Sequence, residues 1–233
     1  MLTLLLAAAL QPPIPVAPPP REVNRFAKWE KDVAAIEKRL AASPPPPGAV
    51  FFAGSSTIVR WNLKTSFPDL DAVNVGFGGS EIRDSTHFAG RLLTPHRPAA
   101  VVFYAGDNDL AAGRTPEQVA DDFQAFVAAV HRDAPKCRVL FLSVKPSPAR
   151  WKKLDDQTKA NALVRDYCRS NPRLVYVDLV PLMLGPDGKP IAELYVKDGL
   201  HLSPAGYEKW APEVRKTLGK SKPDRQSRSF LST

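Results

Sequence analysis

Four short stretches of the sequence hold residue types that could do chemistry. Gly54-Ser55-Ser56-Thr57-Ile58 offers a side-chain hydroxyl on a turn of small residues, although a glycine turn with a serine helix cap has the same composition. Asn74-Val75-Gly76-Phe77-Gly78-Gly79-Ser80 has three glycines that let the main chain approach a ligand and present N–H groups to it. A phosphate would suit that loop too, but it lacks both the Lys-Ser/Thr ending of a nucleotide loop and the spacing of a dinucleotide fingerprint. Gly106-Asp107-Asn108-Asp109 contains an amide able to donate two N–H bonds, or forms a turn closed by Asx hydrogen bonds. Asp198-Gly199-Leu200-His201 puts a carboxylate three residues before an imidazole, close enough for one turn to hold it against Nδ1; the same pair is also half of a metal site. Together the four supply a hydroxyl nucleophile, backbone donors, an amide donor and an Asp-His pair, which are the parts acyl transfer requires.

These blocks must be positioned by the elements around them. Residues 49–53, 72–75, 99–104, 138–144 and 174–177 read as buried strands, with amphipathic helical patterns between them. The clearest helix runs from Pro116 to Arg132, with Thr115 as N-cap, Pro116 at the first helical position and an apolar face of Val119, Phe123, Phe126, Val127 and Val130. Ahead of the first strand, Phe26, Trp29, Val33, Ile36 and Leu40 recur at steps of three and four, which predicts a helix over 22–42 stopped by Pro44 to Pro47. Strand-helix alternation with continuously apolar strands predicts a parallel sheet covered on both faces, and ligands bind beyond the carboxyl ends of such strands. The first three blocks follow strands and the fourth precedes the last helix, so all fall on that edge.

With these four blocks in this order, the chain resembles the SGNH hydrolases, also called the GDSL-type esterases and lipases, over about residues 49–218. The resemblance implies a single-domain, flavodoxin-like α/β/α sandwich with a five-stranded parallel sheet and no cofactor or metal. It implies Ser56 as nucleophile, Asp198 and His201 as its partners, and an oxyanion hole of the Ser56 N–H, Gly79 and Asn108. Ser55 stands where the family name calls for Asp, a residue that is not the family's nucleophile, so the chemistry is left intact, and the third position of the block favours Ser56 over Ser55. The α/β-hydrolase alternative would need Gly-x-Ser-x-Gly, which this sequence lacks.

The loop from Lys145 to Trp151 borders the same edge, so Lys145, Arg150 and Trp151 are candidate substrate contacts, with surface solvation and loop stiffening as the alternative. Asp109 is expected to brace the loop that aims Asn108. His87, His96 and His131 lack partners at useful spacing and read as surface or packing residues. Cys137 and Cys168 read as two small buried thiols.

A composition of 44% hydrophobic and 24% charged residues excludes a disordered chain, a collagen and a disulfide-dense miniprotein. Of the net +8, the stretch 219–233 carries +3 without interleaved aromatic residues, which fits a solvated flexible tail and not a nucleic-acid surface. Residues 1–20 combine an apolar run ending in small residues with a proline-rich linker. They lack a leading Lys or Arg, and the run is too short to span a bilayer. The expectation is an export signal, hence a secreted or periplasmic protein, with a cytoplasmic one as the alternative. The function expected is hydrolysis of short-chain acyl esters of small molecules or glycans, acetyl esters of carbohydrates among them. Discharge of the same acyl enzyme to a sugar hydroxyl is the transferase alternative, and a non-catalytic binding module of the same fold is the third.

Overall fold

A computed structural model describes residues 24–219. The export segment and linker expected over 1–20 lie outside the described residues. So does the basic tail, except Gly219, which ends the last helix. Five strands form the sheet: β1 (Val50–Gly54), β2 (Ala72–Asn74), β3 (Ala100–Tyr104), β4 (Arg138–Leu142) and β5 (Leu174–Val177). All pair in parallel, in the order β2-β1-β3-β4-β5, which is the flavodoxin-like arrangement expected from the resemblance.

Apart from Asn74 at the end of β2 and Arg138 at the start of β4, the strands are apolar along their length because both faces are covered. Phe51, Val101, Phe103, Val139 and Phe141 project to one face and Phe52, Val102, Tyr104, Leu140 and Leu142 to the other. The first face is covered by α1 (Glu30–Ala42), α4 (Ile82–Leu92), α6 (Pro116–Asp133) and α7 (Leu154–Arg169). The second is covered by α2 (Ser56–Val59), α3 (Leu63–Ser66) and α8 (Pro204–Gly219), and a further short turn, α5 (Asp107–Ala111), follows β3. Each large side chain so buried contributes about 1.5–3 kcal/mol. Stacking of Phe103 on Phe126, with centroids 4.0 Å apart, locks α6 to the sheet.

Helix α6 matches its expected span to within a residue, because Thr115 and Gln118 form a reciprocal capping box behind Pro116. The first helix is shorter than expected. It starts at Glu30, preceded by a 3-10 turn over Ala27–Trp29, because Asn24 accepts the Phe26 and Ala27 N–H groups on its side chain and carbonyl. Chain order reverses at β1, whose neighbours are β2 on one side and β3 on the other. The crevice between the carboxyl ends of β1 and β3 is therefore the place where a ligand has room.

Candidate active site

β1 delivers the first block into that crevice. At its end Gly54 has φ +125°, and a Cβ there would lie 2.0 Å from the Tyr104 carbonyl oxygen, so the close pairing of β1 with β3 tolerates no side chain. Ser55 donates its N–H to Tyr104 and its side chain is buried. Ser56, the first residue of α2, is only half-buried. It is Ser56, not Ser55, that the structure brings to the imidazole: His201 Nε2 lies 3.0 Å from Ser56 Oγ.

The fourth block is one self-bonded turn. Asp198 Oδ1 accepts the N–H groups of Leu200 and His201 at 2.8 and 2.9 Å, and Oδ2 lies 2.7 Å from His201 Nδ1. The imidazole bond, reinforced by the two backbone donors, holds the Asp198 carboxyl far below the usual carboxylate range. A carboxylate against Nδ1 selects the tautomer with its proton there, leaving Nε2 to accept from Ser56. Both ring nitrogens thus have protein partners, which decides against the metal half-site reading. The turn is fastened by Val196 donating to the His201 carbonyl and Ala149 donating to that of Gly199.

The glycine loop reaches Ser56 from the β2 side. Asn74 Nδ2 donates to the Ile58 carbonyl and its Oδ1 accepts from Gly76, tying the loop to α2. Gly79 turns at φ +76°. Among the described residues, neither its N–H nor that of Ser56 donates a hydrogen bond, so both remain available to an acceptor in the crevice. Asn108, in α5, spends one N–H of its amide on the Ser80 carbonyl at 3.1 Å and keeps the other. Asp109 braces this corner as expected, accepting from Gly106 and Ile82 at 2.9 Å each. Burial pushes its carboxyl up to about 6 against the pull of those donors.

The Lys145 to Trp151 loop departs from expectation at one position. Lys145 is 1% exposed, and its Nζ donates to Tyr104 Oη at 3.0 Å and Asp107 Oδ2 at 3.2 Å. As a candidate substrate contact it is therefore corrected to a buried partner of Asp107. Asp107 and Asp109, two residues apart, diverge in their partners. Asp107 faces Lys145, Arg150 and Gln157. Burial pushes its carboxyl up, but the two adjacent cations outweigh this and hold it below the ordinary range. A Lys directly after an apolar strand was the only hint of this pairing. Arg150 is partly exposed; its Nη1 forms an ion pair with Asp107 Oδ1 at 2.8 Å and its Nη2 donates to Asn108 Oδ1 at 2.9 Å. Trp151 is half-exposed on the 3-10 segment Pro148–Lys153.

Another tryptophan reaches the site from the N-terminal segment. The Trp29 ring lies 3.6 Å from where a Gly79 Cβ would stand and packs on Phe77 at 5.4 Å. Arg25 bonding to Asp84 and Phe26 stacking on His87 at 3.9 Å hold that segment in place. His96 packs on Phe51 and His131 bonds to the Cys137 carbonyl, so all three spare histidines are packing residues. Cys137 and Cys168 are buried free thiols, each pushed up to about 12 by burial. Among the described residues no three potential metal ligands converge, and no helix is long and apolar enough to cross a membrane. A cavity of about 740 Å³ lies at the opposite edge of the sheet, beside Val50, Ala100 and Arg138, and holds none of the groups above.

A model of the GDSL-like lipase/acylhydrolase family matches residues 53–209, a stretch that contains all four blocks. Over 153 residues the chain is 29% identical to the platelet-activating factor acetylhydrolase IB subunit alpha2 of Gallus gallus, a match spanning 61% of this chain and 62% of that protein. The fold superposes on a GDSL-like lipase from Bacteroides thetaiotaomicron with a TM-score of 0.67 at 21% identity, covering 84% of this chain and 98% of that one. It also superposes on a carbohydrate esterase family 3 protein from Talaromyces cellulolyticus with a TM-score of 0.59 at 17% identity, covering 74% and 96% respectively. At these identities the two structures establish a shared fold.

Proposed function

Since the chain belongs to the GDSL-like lipase/acylhydrolase family, we propose that it is a serine esterase that removes short acyl groups, acetyl esters of carbohydrates among them, through an acyl enzyme on Ser56. The observation that carries this reading is the unbroken contact series Ser56 Oγ, His201 Nε2, His201 Nδ1, Asp198 Oδ2 at 3.0 and 2.7 Å, beside three unspent N–H donors. In this mechanism His201 Nε2 takes the hydroxyl proton as Oγ attacks the ester carbonyl, and Asp198 stabilises the imidazolium. The Ser56 and Gly79 N–H groups and the free Asn108 N–H receive the developing oxyanion, where such donors act most strongly. The imidazolium returns the proton to the leaving alcohol. Water, deprotonated by the same nitrogen, then attacks the acyl group and regenerates Ser56.

The carbohydrate-esterase neighbour supports the substrate class by shared fold, and Trp29 beside Gly79 supports a short acyl group by walling the crevice. Ser56→Ala should abolish release of acetate from p-nitrophenyl acetate and from acetylated sugars while the circular dichroism spectrum is unchanged. Full activity of that variant overturns the mechanism, and loss of activity in Ser55→Ala alone would move the nucleophile by one residue. Adding free sugar acceptors to the wild-type reaction distinguishes hydrolysis, which leaves acetate as the product, from transfer, which yields new sugar esters. The apolar run at residues 1–10 supports export as the route to such substrates; protein recovered from the cytosolic fraction of the native cell with Met1 intact argues against it.

A further inference from the structure

We propose that Arg150 is a positioning residue that fixes the orientation of the Asn108 amide, and that the buried Asp107–Lys145 pair fixes Arg150. This rests on the oxyanion role proposed for Asn108. An asparagine amide is nearly symmetric in shape, and only its hydrogen-bond partners decide which end is oxygen and which is nitrogen. Here two partners of opposite demand flank it. The Ser80 carbonyl accepts on one side, 3.1 Å from Nδ2. The Arg150 guanidinium donates on the other, 2.9 Å from Oδ1. A flipped amide would set oxygen against oxygen and donor against donor. With Arg150 occupying Oδ1, the spare Nδ2 hydrogen is left for the crevice, and the guanidinium polarises the amide so that this hydrogen is a stronger donor.

Arg150 can hold that pose because its other nitrogen is anchored. Asp107 takes the Arg150 Nη1 at 2.8 Å and is itself held from below by Lys145 and Gln157. The backbone at Arg150 breaks from helical geometry, with φ −120° and ψ 23°, between two short turns of the 3-10 segment. The preceding residue, Ala149, donates to Gly199 in the Asp198–His201 turn at 3.0 Å, and Tyr195 Oη donates to the Pro146 carbonyl. The arginine is therefore mounted on a loop that also supports the imidazole, so the amide and the base are registered to one another through the same backbone. A lysine could not substitute, because a single ammonium at the end of a flexible stem does not reproduce the planar fork that spans a carboxylate and an amide oxygen.

The test is steady-state kinetics on p-nitrophenyl acetate, an ester with no net charge and so no ion pair to make with an arginine, using Arg150→Met, Arg150→Lys, Asn108→Ala and the Arg150→Met/Asn108→Ala double variant. Arg150→Met should lower kcat about tenfold with KM within about twofold, the size of coupling expected between contacting groups. Arg150→Lys keeps a cation for Asp107 and so folds, but should recover only part of that loss. In the Asn108→Ala background, Arg150→Met should cost no more than about twofold, because the residue it positions is gone. Losses that multiply in the double variant overturn the inference. So does full kcat in Arg150→Lys, or a rise in KM at unchanged kcat. If Asn108→Ala alone leaves kcat intact, the oxyanion role itself fails and this inference falls with it; if Asn108→Ala is impaired but the losses multiply, only the inference fails.

Discussion

Replacing Lys145 by Met separates its observed burial from the role of substrate contact that its loop position suggested. Methionine is similar in length and apolar, so it should fill the channel between Tyr104 and Asp107 without opening a cavity, and the change removes the ammonium alone. Asp107, with a side chain 5% exposed, then loses the partner at 3.2 Å but keeps Arg150 at 2.8 Å. Breaking a buried pair by deleting one member costs about 3–5 kcal/mol, and the surviving arginine places this case at the lower end, about 3 kcal/mol. With a urea slope of about 2 kcal/mol per molar, the unfolding midpoint should fall by about 1.5 M at pH 7.

The loss should also depend on pH. In the native protein Asp107 ionises below its unfolded value of about 3.9, so its contribution is present above that pH and is lost as pH falls through the lower native value. In the variant, burial is opposed by one cation only and the carboxyl shifts upward. The added penalty is then full at neutral pH and shrinks as pH falls toward about 4. Urea titrations of both proteins at pH 7, 5.5 and 4, followed by tryptophan fluorescence, measure this directly. A midpoint difference that is small at pH 7, or equal at all three pH values, refutes the buried-pair reasoning. A rise in KM on p-nitrophenyl acetate with stability unchanged would return Lys145 to the substrate surface.

Three further outcomes follow from the proposed site. Asn108→Ala should lower kcat by about 10²–10³ with little change in KM, the loss typical of one oxyanion donor, in the same p-nitrophenyl acetate assay. Asp198→Asn should reduce kcat by up to about 10⁴, because an amide no longer selects the Nδ1-protonated tautomer, and an effect below tenfold would mean the backbone turn alone orients the ring. For acyl length, kcat/KM on p-nitrophenyl esters from acetyl to palmitoyl should peak between acetyl and butyryl. Trp29→Ala should move that peak to longer chains, by as much as about fourfold per newly buried methylene. A steady climb to palmitoyl in the unmodified protein would make it a lipase instead.

The positions of the strands along the chain, their burial on both faces and the edge on which chemistry is possible were legible in the residues themselves, whereas the spatial strand order was an implication of the family resemblance. Continuous apolar runs such as Val101 to Tyr104 can be satisfied only between two layers, and Thr115-Pro116 marks a helix start by local hydrogen bonding alone. Asp198 and His201 were legible for the same reason, since three residues of separation let one turn make the contact. The pairing of Ser56 instead of Ser55 with that imidazole was decided in three dimensions. It joins residues 145 positions apart, and a one-residue shift at the end of β1 exchanges a buried side chain for a reachable one. The fate of Lys145 and Arg150 was decided there too. Both lie on one loop with the same charge, yet Asp107, a carboxylate contributed by a different strand end, draws one beneath the surface and leaves the other at the rim. Local sequence specifies backbone geometry and periodicity because those depend on neighbours in the chain. Which charge finds which partner depends on neighbours in space, and only the closed sheet supplies them.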